Sequence, residues 1–210
     1  MASILIKKII MIRLLLFTSL FFTFSSSYSQ EKDLFESIRT EAEIDTSLLP
    51  GKMIFTQRLL WGDKGLLRIT GISPLTIKQR ENELKIRRKM LKIHQVIGYI
   101  TLAGMIAQGV LGAQLYNGNY SLNETHKTIG NLTSISYFTG AGLSLFSPPP
   151  LINKKTKGFN SIKAHKYLAT IHFSAMLATN LLAESNVKLH RAAAFTAFGS
   201  YATAIIVFKF

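Results

Sequence analysis

The sequence predicts an all-α membrane protein, an antiparallel four-transmembrane-helix bundle preceded by a signal peptide and an extracytoplasmic amphipathic segment. Three observations carry that expectation. Charged residues make up 17% of the 210 positions, against about 25% in an average soluble domain. Four apolar runs, Gln95 to Leu115, Thr128 to Phe146, Tyr167 to Ala183 and Ala192 to Phe208, approach the length needed to cross a hydrocarbon core of about 30 Å. The connections between them are short and polar, which sets neighbouring helices antiparallel.

The elements follow in chain order. Residues 1–29 read as a signal peptide: Lys7, Lys8 and Arg13 form the positive region, Leu14 to Phe24 the apolar stretch, and Ser27-Tyr28-Ser29 the small-residue end. Residues 30–93 read as an extracytoplasmic or interfacial segment. Its first part, Glu31 to Asp45, is acidic and polar; Met53 to Ile72 is amphipathic, and Arg58, Asp63, Lys64 and Arg68 make it too costly to span a bilayer. Trp61 and Phe55 are expected at the headgroup level. Lys78 to Lys92, with seven bases and two acids and neither glycine nor proline, is expected to be a surface helix. Residues 94–210 form the expected transmembrane domain.

The formal charge of +14 divides unevenly. Residues 94–210 hold nine bases and two acids, almost all between the apolar runs. Such placement suits loops bordering a membrane rather than a nucleic-acid face. The predicted location is therefore multi-pass in the cytoplasmic (inner) membrane of a bacterium, with residues 30–93 on the extracytoplasmic side. The positive-inside tendency opposes that orientation, because it would draw Lys78 to Lys92 and the lysine-rich stretch from Ser147 to Lys163 into the cytoplasm. The absence of cysteine excludes disulfide frameworks, Cys-ligated zinc, iron-sulfur clusters and thiol catalysis. No glycine-rich phosphate loop, nucleophile elbow or zinc-type histidine spacing is present.

Each apolar run is preceded by a histidine: His94, His126, His165 and His190. Every one has a small residue one helical turn further on, Gly98, Gly130, Ala169 and Ala194, on the same helix face. That leaves a flat space beside each imidazole, as a porphyrin or a closely packed helix would require. Alternating helix direction places His94 with His165 near one surface and His126 with His190 near the other. Two facing imidazoles supply both axial ligands of a haem iron, and a filled coordination sphere favours electron transfer. Lys127, Lys166 and Arg191, each directly after a histidine, could pair with haem propionates or extend their charged ends to the interface. His172, seven residues after His165, is either an alternative ligand or a hydrogen-bonded core imidazole. Gln108, Asn131 and Asn180 are expected to bond between helices.

These residues resemble the cytochrome b561 family over His94 to Phe210. The resemblance implies two b-type haems, one held by His94 and His165 and one by His126 and His190. It implies transmembrane oxidoreductase chemistry, with an electron donor and acceptor that the residues leave unidentified, in a lipid setting that allows a homodimer. The extra flanking helices of six-helix relatives are missing, and no ascorbate or iron site is evident. The competing reading is a non-catalytic membrane scaffold or assembly subunit without cofactor, whose histidines merely end helices. A histidine-lined transporter ranks last, since Glu184 is the sole acid near a run and sits at its end.

Overall fold

A computed structural model describes residues 48–151 and 160–209. The expected signal peptide and the acidic stretch from Glu31 to Asp45 lie outside the described residues. The elements are α1 (Phe55–Trp61), α2 (Leu66–Ile69), α3 (Ile77–Tyr116), a 3-10 turn (Tyr120–Leu122), α4 (Asn123–Leu145), α5 (Ser161–Leu182) and α6 (Val187–Lys209). Among the described residues there is no strand.

Local chemistry sets the helix boundaries. The Thr76 hydroxyl accepts from the Gln79 amide to cap α3, and the Asn160 side chain accepts from the Lys163 amide to cap α5. Asn186 does the same for the Leu189 amide at the start of α6. After α3 the chain reverses through Gly118, whose φ of 93° is a left-handed conformation that glycine adopts without steric cost. α3 runs unbroken through position 94, joining the expected surface helix and the first apolar run in one element of 40 residues.

The four long helices pack as two hairpins, α3 with α4 and α5 with α6. In the first hairpin the seam is lined by small and polar side chains. His94 Nδ1 is 2.8 Å from the Gly140 carbonyl, Thr101 Oγ1 is 2.8 Å from Ser136 Oγ, and the Gln108 amide donates to the His126 carbonyl at 3.0 Å. Gly104 lies against Thr133 so closely that a Cβ there would come within 2.5 Å of Thr133 Oγ1. In the second hairpin Ala164, Ala175, Ala197 and Ala204 are buried, which lets α5 and α6 approach. The two hairpins meet through larger side chains: Met105, Tyr137 and Met176 form the core, with Phe138, Phe173 and Tyr201 packed against it.

This architecture corrects the expectation of four transmembrane helices. Among the described residues, α3 alone is long and apolar enough to cross a membrane. The physical reason is composition within the helices. Ser, Thr, Asn and His recur along α4 and α5 and lower their hydropathy. The multi-pass inner-membrane location, and the lipid partnership drawn from it, fall with the four spans. What stands is an all-helical domain with one helix of spanning length.

The Gly104 contact yields a stability test. Gly104→Ala should destabilise the protein by ~1–3 kcal/mol through overpacking against Thr133, despite the helix preference for alanine. Thr133→Ala in the same chain should restore much of the loss, as read by denaturant unfolding.

Candidate functional site

Two sets of polar residues stand out inside the fold: the histidines of the four long helices, and an ionic clasp at the start of α3.

The histidines act first as hydrogen-bonding groups between helices. His94 joins α3 to α4 through the Gly140 carbonyl, and His190 Nδ1 joins α6 to α5 through the Thr179 carbonyl at 2.8 Å. His165 Nδ1 lies 3.4 Å from the Ala204 carbonyl. A neutral imidazole whose Nδ1–H donates to a carbonyl meets these contacts, with the tautomer fixed by the bond. His126 and His190 face each other edge to face, ring centroids 6.3 Å apart, and His126 Nδ1 is buried without a hydrogen-bond partner. Burial, and then the neighbouring His190, hold His126 below the usual histidine pKa.

His172 belongs to a different group. Its Nδ1 lies 2.6 Å from Tyr137 Oη, and its ring packs edge to face on Tyr201 with centroids 5.0 Å apart. Tyr201 in turn donates to the Gly98 carbonyl at 3.2 Å. This network ties α5, α4, α6 and α3 together across the hairpin boundary. Burial foremost, then His165 and His94, push the His172 pKa down to about 4, so the ring is neutral at pH 7 and its Nδ1 accepts a hydrogen bond from the phenol. Burial followed by Tyr201 pushes the Tyr137 phenol up.

The remaining sequence-predicted residues take other roles. The room beside Gly98 is occupied by the Tyr201 hydroxyl, and that beside Gly130 by the Gln108 side chain. Lys127 and Lys166 are exposed. Arg191 places its guanidinium 4.2 Å from the Tyr116 ring centroid, a cation–π contact. Gln108 and Asn180 do bond between helices, the latter accepting from Ser134 at 2.9 Å.

These positions correct the haem reading. Among the described residues there is no group of three or more His, Cys, Asp or Glu side chains that could hold a metal ion. The spaces beside Gly98 and Gly130, expected to admit a macrocycle, are filled by Tyr201 and Gln108. The donor set does not fit two b haems. The cytochrome b561 resemblance, the electron-transfer and oxidoreductase function, and an electron donor and acceptor as partners are corrected on the same finding. No protein-family model, curated protein or solved structure matches the chain.

The clasp was not foreseen from the sequence. Arg68 and Arg80 both bond the Glu83 carboxylate, whose side chain is fully enclosed. Ser73 Oγ donates to Glu83 Oε1 at 2.5 Å, and Gln79 donates to Ser73 Oγ at 2.9 Å. Burial alone would raise the Glu83 pKa; the bonds from Arg68, Ser73 and Arg80 outweigh it and hold the carboxyl below its ordinary range. Lys78 to Lys92 is thus no simple surface helix: Arg80 and Glu83 are among the most buried side chains described. Their spacing of three on a helix, which brings opposite charges to one face, was the available signal. Nothing in the sequence marked Arg68 as their partner.

Two tests follow from these groups. The folded His172 pKa lies below the unfolded value, so the unfolded chain takes up a proton first. Stability should therefore be full above pH 6.5 and lost as pH falls from about 6.5 to about 4, by about 3 kcal/mol from this residue. His172→Asn, which keeps an acceptor for Tyr137 but does not titrate, should flatten that part of a thermal-unfolding pH profile. Separately, Glu83→Gln strands two buried guanidinium groups and should cost ~3–5 kcal/mol in denaturant unfolding.

Proposed function

We propose that this chain is a non-catalytic scaffold or assembly subunit that works without a cofactor. The observation that carries the reading is the outward face of the long helices. Large apolar side chains stand exposed on all four, among them Ile100 and Val110 on α3, Ile135 on α4, Leu181 on α5 and Phe195 on α6, with Leu181 79% exposed. Exposed apolar surface on this scale marks an interaction face.

The interior supports the same reading. Polar groups that could have formed a reaction centre are engaged in holding helices together: His94, His165 and His190 on carbonyls, His172 on Tyr137, Thr101 on Ser136. A domain that fixes helix positions internally and presents apolar side chains externally is suited to organising other polypeptides.

The test is optical and structural together. Protein purified from cells supplied with haem should be colourless, and a Soret band of stoichiometric intensity would overturn the reading. Replacing His94, His126, His165 and His190 by Asn should leave the helical circular dichroism intact, with a loss of about 1 kcal/mol for each hydrogen bond weakened.

A further inference from the structure

The segment leaving α4 is held in an unusual way. Six consecutive backbone carbonyls, from Leu145 to Pro150, each accept a hydrogen bond from a side chain in the stretch 56–87. Thr56 Oγ1 donates to Leu145 at 2.6 Å, Trp61 Nε1 to Phe146 at 3.0 Å and Gln57 Nε2 to Ser147 at 3.2 Å. Arg87 donates to Pro148 at 2.6 Å, and Arg80 Nη2 to Pro149 and Pro150 at 3.2 and 3.4 Å. Ser147, Pro148 and Pro149 are fully buried beneath these groups.

The strand's chemistry explains why it can be buried there. Proline has no N–H, so enclosing Pro148 and Pro149 leaves no donor orphaned. Each proline also biases the residue before it toward extended backbone. An extended proline strand makes no internal hydrogen bonds, so every carbonyl must be met from outside. Of the groups that meet them, Arg80 is fixed independently of the strand. Glu83 holds Arg80 on the same helix, while Arg68 and Ser73 hold Glu83. An indole N–H together with amide and guanidinium donors forms a surface that reads a proline-rich strand.

We propose that α1, α2 and the first turns of α3 form a receptor for an extended proline-rich strand, occupied in cis by 147–150, for which a proline-rich segment of a partner protein competes. This rests on the scaffold reading and names the chemistry of one partner. The tethered strand has a high effective concentration, so exchange requires either a loosened cis strand or a high local supply of the partner segment.

Trp61, the chain's one tryptophan, sits in the receptor and reports its occupancy. The probe is a synthetic peptide with the sequence of residues 145–151, Leu-Phe-Ser-Pro-Pro-Pro-Leu, added to the full chain carrying Pro148→Gly, Pro149→Gly and Pro150→Gly. The substitutions should shift Trp61 emission to the red, and the peptide should reverse the shift saturably. A control peptide with the three prolines replaced by glycine should bind roughly tenfold more weakly or worse. No response to either peptide, or equal responses to both, overturns the proposal. Should the variant fail to fold, the wild-type chain is exposed to the peptide with a photoreactive phenylalanine at the second position. Crosslinks mapping to 56–87 support the receptor, and crosslinks spread over α5 and α6 overturn it. A colourless protein that ignores the peptide refutes the receptor and leaves the scaffold reading intact, so the two failures are separable.

Discussion

The structure depends on a single enclosed carboxylate. Glu83 brings two guanidinium groups, Arg68 from α2 and Arg80 from its own helix, into a fixed arrangement. Arg80 then reaches Leu48, Pro149 and Pro150, so three separate stretches of chain meet at one point. Isolated ion pairs on a surface contribute little. Here the partners are shielded from water and further bonded to Ser73, so removing one leaves an uncompensated charge in the interior. The order of the short helices and of the strand leaving α4 follows from that constraint.

Between the hairpins a different principle operates. Backbones within each hairpin approach closely because glycine, alanine, serine and threonine line the seams. Across the boundary the spacing is set by aromatic rings and two methionines. Tyr137 is central: it touches Phe138, Phe173, His172 and Tyr201. A buried polar network of this kind has few satisfactory alternatives, and it therefore selects one mutual position of the hairpins.

Much of the helical content was legible. The four apolar runs fall on α3 to α6, overshooting by one residue at Phe146 and Ala183, because apolar composition and polar connections are local signals. The approach of His126 to His190 was legible too, whereas His94 lies inside α3 rather than at a helix start. The chemistry of the histidines was not legible, because position along a helix does not disclose what an imidazole nitrogen bonds. The carbonyls of Gly140, Thr179 and Ala204 carry no sequence mark, and Tyr201 and Gln108 reach the spaces beside Gly98 and Gly130 from other helices. Trp61 shows the same limit. Its composition context suggested a membrane surface, whereas its N–H is directed at Phe146, 85 positions later in the chain.

The unbroken course of α3 has a mechanical consequence. Forty residues at 1.5 Å each make a rod about 60 Å long, with Arg80 near one tip and Gly112, beside the His126 ring, about 48 Å along it. A tilt imposed where the proline strand is gripped, about 36 Å from Gly104, would move the opposite tip, about 18 Å beyond it, through an arc about half as large, as in a lever pivoting at Gly104 and Thr133. Events at the two extremities of the domain are thereby coupled through the stiffness of one helix.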